Sequence, residues 1–220
     1  MVTTKFLTAI VLAAGLSRRM GKENKLLLPF GQSTILATTL ANILSAKIGQ
    51  TLVVVGHEAP DVQATLVTDI PNTPLSINTE KTPKMTILTN PHYEKGMTTT
   101  IQTGVEAADA ESVGYMICLS DMPFITPSEY IFLKNKFLEI LETDIQAILQ
   151  PVFKGARGNP TIFSSFYKKH ILELIDTEGC KPIVQAHAAH VYTVEMPTDA
   201  VLRDIDTREV YEVLNRFEQA

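Results

Sequence analysis

The chain has 220 residues, 45% of them hydrophobic and 20% charged, and a formal net charge of -5. That length can bury one sizeable core, and the mild acidity excludes a general nucleic-acid binder, which displays a basic face. No apolar run reaches membrane-span length and the N-terminus enters a strand without a cleavage pattern; with two distant cysteines, Cys118 (in an apolar run, hence core) and Cys180, this leads us to expect a reduced, cytoplasmic setting and no membrane.

The first element is an apolar strand, Phe6–Ala14, that stops at Gly15. The loop behind it carries Ser17, Arg18, Arg19, Gly21, Lys22 and Lys25, a local concentration of cations in an acidic protein. Glycine lets backbone N–H groups approach anionic oxygens while Arg and Lys neutralise them, so the segment suits a polyphosphate. It is not a Walker A loop, because five residues separate Gly15 from Gly21 and Glu23 follows Lys22. Nor is it a dinucleotide fingerprint, since Ser17 stands where a glycine is needed.

Helical spacing of Ile35, Leu36, Leu40, Ile43 and Leu44 predicts a helix over Ile35–Ala46, capped by Ser33. Thr51–Val55 reads as a buried strand. Ile70–Lys84, with its prolines, reads as a long loop with one short strand near Leu75–Ile77; it is either decoration or a substrate lid. Strands at Met85–Leu88, Val113–Leu119 and Ile145–Val152 alternate with helices at Thr98–Ala108, Pro127–Leu141, Ser164–Ile175, Lys181–Ala188 and Arg208–Phe217. Such alternation predicts an α/β fold with a mostly parallel, doubly wound sheet flanked by helices.

Ligands in open α/β sheets bind beyond the carboxyl ends of strands, which is where Asp121 ends the run Tyr115–Leu119. A carboxylate there suits Mg²⁺; the alternative is a cap for the helix near Pro127, a task Thr126 fits better. Asp204 and Asp206 flank Ile205, so in extended chain both acids face one side and are further metal candidates, Asp206 first. Alternatively Asp206 or Thr207 caps the terminal helix and Asp204 is solvated. Thr98 and Thr99 open a predicted helix, either as ligand-binding hydroxyls or as an ordinary cap. The five histidines show no metal spacing, and no G-x-S-x-G elbow occurs.

Leu12, Ala13, Ala14, Gly15, Ser17, Arg19, Met20, Gly21, Lys25, Leu26, Leu27, Leu28 and Pro29 reproduce the pattern L-A-A-G-x-S-x-R-M-G-x-x-K-L-L-L-P. This resembles the nucleotidyltransferases with a glycosyltransferase-A-like fold, and among them the molybdenum cofactor cytidylyltransferases. Ser120-Asp121-Met122-Pro123 is similar to that family's G-D-M-P, and Asp204-Ile205-Asp206-Thr207 to its D-I-D-T, with Arg208 replacing a proline. Asn90-Pro91 and Gly96–Thr100 resemble N-P-x-x-x-x-G-M-x-x-S. Gly155–Pro160 is similar to an acceptor-side G-x-x-G-N/H-P loop, although a plain hairpin turn also fits, and Thr177–Lys181 is a looser match to G-D-x-G-A-R.

The resemblance implies one nucleotidyltransferase domain over residues 1–220, nucleotide-binding in its N-terminal part and acceptor-binding in its C-terminal part. It implies Mg²⁺ on Asp121 and Asp206, with Asp204 beside them, and the triphosphate on Gly15, Ser17 and Arg19. Lys25 goes to the α-phosphate, and Leu12, Ala13, Ala14, Thr98 and Thr99 lie near the nucleotide. Arg157, Gly158, Asn159 and Lys181 then meet the acceptor. Ala13-Ala14 points to CTP, where guanylyl relatives show L-A-G-G, and molybdopterin is the implied acceptor, with a molybdenum hydroxylase as the product's recipient. The rivals are a sugar- or polyol-phosphate nucleotidyltransferase and a non-catalytic carrier or maturation chaperone for such a hydroxylase.

Overall fold

A computed structural model describes residues 5–20, 23–70, 85–175 and 177–218. Gly21, Lys22 and the expected strand at Leu75–Ile77 lie outside the described residues. Strand β1 (Leu7–Ala13) leads through a loop to a short hairpin, β2 (Pro29–Phe30) and β3 (Ser33–Thr34), and then to α1 (Ile35–Ser45). There follow β4 (Gly49–Val55), α2 (Ala59–Asp69), β5 (Met85–Thr89), α3 (Met97–Ala107), β6 (Gly114–Leu119) and α4 (Pro127–Leu141). The second half adds β7 (Ile148–Phe153), β8 (Ala156–Arg157), β9 (Thr161–Ser164), α5 (Lys168–Leu172), α6 (Lys181–Ala186), β10 (Val191–Glu195) and α7 (Arg208–Glu218).

The main sheet runs β10-β7-β9-β6-β1-β4-β5, with β8 paired to β7. Pairings β1–β4, β1–β6, β4–β5 and β7–β10 are parallel, whereas β9 is antiparallel to both β6 and β7. Side-chain alternation sorts the core into two layers. Ala9, Val11, Val53, Met116 and Cys118 face a layer closed by Leu40 and Ile43 of α1, Val62 of α2 and Leu133 and Phe137 of α4. Ile10, Leu52, Val54, Tyr115 and Ile117 face the other, closed by Ile101 of α3, Ile171 of α5 and Ile183 of α6. Cys118 is a core residue, its thiol pushed up by burial. Among the described residues no helix is long and apolar enough to cross a membrane.

Several expectations change. The cap of α1 is Thr34, which accepts from Ala37 N–H; Ser33 instead sits in the hairpin and donates to Asp69. Helix α3 begins at Met97 with Gly96 as its cap residue, so Thr98 does not cap it. Strand β7 starts at Ile148, and Ile145 is exposed. Helix α2 escaped the sequence reading because only Val62 and Leu66 of its eleven residues are buried, too few for a visible stripe. The short strands β9 and β10 were missed too; the first ends at Ser164, where the expected helix was to begin, and α5 itself starts only at Lys168. Thr126 does cap α4, in a reciprocal capping box with Glu129, which leaves Asp121 free for other work.

Candidate active site

β1 sits between β4 and β6, both parallel to it, while the chain order jumps from one side to the other. At such a switch the loops leaving the two strands diverge and open a crevice. A cavity of about 510 Å³ lies there, lined by Leu12, Ala14, Gly15, Ser17, Arg19 and Lys25 on one wall. Asp121, Asp204 and Asp206 line it as well, and Tyr93, Glu94, Met97 and Thr100 complete it. Its size lies within the roughly 300–1,000 Å³ of small-molecule sites.

A Cβ built on Gly15 would meet nothing within 4 Å, so the glycine leaves open space on the cavity side. Ser17 takes a left-handed conformation, φ +48, uncommon for a residue with a side chain. Its hydroxyl accepts from Lys25 N–H at 3.3 Å and donates to Asn24 Oδ1 at 3.4 Å, while its carbonyl accepts from Met20 N–H. The loop is thereby closed on itself, and it delivers Lys25 to the cavity. Ala13, by contrast, turns its methyl into the core beside Val11 and Val55.

On the facing strand, Ser120 donates its hydroxyl to the Leu12 carbonyl at 2.6 Å and ties the ends of β6 and β1 together. Asp121 follows, only 6% exposed. Lys25 Nζ bonds Asp121 Oδ2 and, at 2.6 Å, Asp206 Oδ1; Arg19 reaches Asp206 Oδ2, also at 2.6 Å. The C-terminal segment is brought here by its backbone, since Ile205 N–H donates to the Asp121 carbonyl at 3.0 Å.

Burial works against the charge of Lys25, but Asp121 and Asp206 outweigh it and hold the ammonium above its ordinary range. Burial also works against Asp206 as a carboxylate; Lys25, Asp204 and Arg19 prevail and hold it below the usual range. Asp204 goes the other way, pushed up by burial and then by its neighbours Asp206 and Asp121. Two acids with opposite shifts therefore stand side by side.

One carboxylate oxygen from each of Asp121, Asp204 and Asp206 lies within 4.8 Å of the others. Asp121 Oδ1 is buried with no hydrogen-bond partner, an arrangement that costs free energy unless something binds it. Three hard oxygen donors with an orphaned buried lone pair fit Mg²⁺ or Mn²⁺.

The remaining nucleotide candidates, Thr98 and Thr99, and the acceptor candidates are placed differently. Thr98 is buried and its hydroxyl accepts from Gly179 N–H; Thr99 is bonded to Asn90 Nδ2 and to backbone carbonyls. Neither side chain lines the cavity, whereas Thr100 of the same run does. Arg157 lies on β8, in the hairpin that was the alternative reading, beside a separate cavity with Gln185 and Thr193. Gly158 allows a close approach, but to the protein itself: a Cβ there would meet the Val201 carbonyl at 2.3 Å. Asn159 N–H donates to that same carbonyl. Lys181 opens α6 and pairs with Glu178 on the surface. The Thr177–Gly179 turn nonetheless packs on the Gly96–Thr98 turn, so these two loosely matching segments do meet. Tyr93, Glu94 and Met97 were missed as cavity residues; their only signal was their position between Asn90-Pro91 and the hydroxyl run.

Residues 9–191 match the family model described as a MobA-like NTP transferase domain. The chain is 27% identical to the molybdenum cofactor cytidylyltransferase of Escherichia coli K12, covering 90% of each protein. It is also 27% identical to the purine catabolism protein PucB of Bacillus subtilis 168, covering 96% of this chain and 97% of that one. Among solved structures, Rv0371c of Mycobacterium tuberculosis is similar with a TM-score of 0.74 at 20% identity, over 96% of this chain and 99% of that one. Its complex with manganese gives a TM-score of 0.66 at 19% identity, with the same coverage.

Proposed function

The chain belongs to the family of MobA-like NTP transferase domains, and on that premise we propose that this nucleotidyltransferase moves CMP from CTP onto the phosphate of molybdopterin, releasing pyrophosphate. The observation that carries the mechanism is the convergence of Asp121, Asp204, Asp206, Lys25 and Arg19 on one cavity at the β1–β6 switch. A polyphosphate needs its charge neutralised: Lys25 and Arg19 offer cations for its oxygens, and the three carboxylates would hold a divalent ion that adds to that neutralisation.

An oxygen of the acceptor phosphate attacks the α-phosphorus in line, and the bond to pyrophosphate breaks. That nucleophile is already anionic at neutral pH, so positioning and charge stabilisation suffice without a general base. Lys25 turns from its carboxylates to the α-phosphate, where charge grows. Arg19, exposed and long, closes on the β and γ oxygens. The N–H groups at Gly15 and Ser17 hold the triphosphate. Asp121 and Asp206, joined by Asp204, hold Mg²⁺, which when bound supplies Lewis-acid neutralisation of the phosphate oxygens. The manganese complex of Rv0371c supports a divalent ion in this fold.

CTP as donor is supported by Ala13-Ala14 and by the E. coli relative, whose name also supplies molybdopterin chemistry. Arg157 is assigned to a distal anion of the acceptor, with Gly158, Asn159 and Lys181 shaping that side, and the product goes to a molybdenum hydroxylase. A non-catalytic carrier would have no use for a buried metal carboxylate such as Asp121. The test is to incubate the protein and Mg²⁺ with each NTP and a panel of phosphorylated acceptors, following pyrophosphate and product mass. Molybdopterin cytosine dinucleotide is the expected product. Turnover only with a sugar or polyol phosphate, or only with another NTP, would overturn the assignment.

A further inference from the structure

Some apolar residues in and just beyond the N-terminal signature have no part in the chemistry. Met20, Leu28 and Phe30 touch no phosphate in the mechanism above, yet they sit in one small apolar cluster with Ile35, Ile205 and Tyr211. Ile205 is fully buried there. Because side chains alternate along an extended segment, burying Ile205 turns Asp204 and Asp206 the other way, into the cavity. Tyr211 of α7 locks the arrangement from behind: its hydroxyl donates to the Pro29 carbonyl at 2.8 Å. Two further ties cross the same seam. Arg208 pairs with Glu23, and Arg203 stacks over Phe124 at 4.2 Å, with Phe124 edge-on to Phe30 at 5.4 Å.

We propose that the apolar part of the signature is a socket for the C-terminal segment, and that Tyr211 and Ile205 are positioning residues that set Asp204 and Asp206 against Asp121. This rests on the reading of the three carboxylates as a divalent-metal site. Asp121 is fixed by β6 and by burial, whereas Asp204 and Asp206 stand on an irregular segment with no strand of its own. The Ile205–Asp121 backbone bond sets the height of that segment, and the socket sets its rotation. A packing change at a residue that offers the metal no ligand is therefore expected to reach the metal.

The experiment is a Mn²⁺ titration without nucleotide, read by the electron paramagnetic resonance of free Mn²⁺, together with thermal melts. The wild type should bind Mn²⁺, and Asp121→Asn should lose binding. Tyr211→Ala should weaken binding about tenfold in protein still folded at the titration temperature, the cost typical of an outer-shell support. Tyr211→Phe keeps the ring in the socket and should recover most of that loss. If Tyr211→Ala does not fold, Ile205→Val removes one methyl group from the same socket and should still weaken Mn²⁺ by a measurable factor. A lower melting temperature with unchanged Mn²⁺ affinity, in whichever of these variants folds, would overturn the positioning role and leave the metal site standing. A wild type that binds no Mn²⁺ would remove the metal site and this proposal with it.

Discussion

The proposed donor wall and the proposed acceptor half of this molecule are built on different terms. Around Asp121, charged groups from three distant stretches of chain (Arg19 and Lys25, Asp121, Asp206) meet in close ion pairs, with Lys25, Asp121 and Asp206 largely hidden from water. Around Arg157, the candidate residues are dispersed: Arg157 is exposed on a hairpin, Gly158 and Asn159 engage the Val201 carbonyl, and Lys181 pairs with Glu178 on the surface. Activating a triphosphate requires several charges at fixed separations, which only a preorganised, partly desolvated cluster provides. Recognising an acceptor is less demanding of geometry and tolerates a looser frame. Under the proposed function, the clustered half carries the reaction and the dispersed half the choice of substrate.

Breaking the donor wall should have the largest effect. Asp121→Asn should cost turnover on the order of 10³-fold, because an amide is a poorer ligand and cannot offset the charge of the ion it holds. Pyrophosphate release at saturating CTP measures it, and near wild-type rates would remove Asp121 from the metal site. Lys25→Ala should cost about 10²-fold, the loss typical of one preorganised charge donor, with the fold intact by circular dichroism. An unaffected rate would show that the lysine serves only to neutralise Asp121 and Asp206.

The acceptor half should respond more gently and in a different parameter. Arg157→Ala is expected to raise the acceptor KM about tenfold, one charged hydrogen bond of about 1.5 kcal/mol, with the KM for CTP unmoved. A fall in kcat with both substrates would join Arg157 to the donor wall and dissolve the comparison.

The smallest effect concerns stability, and its sign follows from Asp204. Its folded-state pKa is raised, by burial and by Asp206 and Asp121, so the folded protein binds that proton more tightly than the unfolded chain. The favourable contribution is complete below the ordinary carboxylate range and is lost as pH rises through the raised value. At neutral pH the ionised Asp204 therefore costs stability, and Asp204→Asn should raise Tm there. The gain should shrink when melts are taken near pH about 4 instead of about 8. A gain that is independent of pH would point to packing rather than charge.

Local chemistry that repeats along a few residues was readable without coordinates. The apolar run into Gly15, the cations behind it, the acid after β6 and the alternating Asp204-Ile205-Asp206 each declare themselves within ten residues or so, because strand periodicity and strand ends are short-range facts. The predicted order of the main parallel strands and of helices α1, α3 and α4 survives for the same reason. The sequence could not say that Ser17 adopts a left-handed turn, that the cap of α1 is Thr34, or that a helix as polar as α2 exists; tertiary contact decides these. Nor could it say that Thr98 is spent on Gly179 N–H while its neighbour Thr100 faces the cavity, since the rotation of a helix follows from what packs against it. Above all, the approach of Asp206 to Lys25 across 181 residues depends on burying Ile205 beside Met20 and Phe30. That contact exists only once the sheet has brought both ends of the chain to the same edge, where its burial offsets the entropy of ordering them.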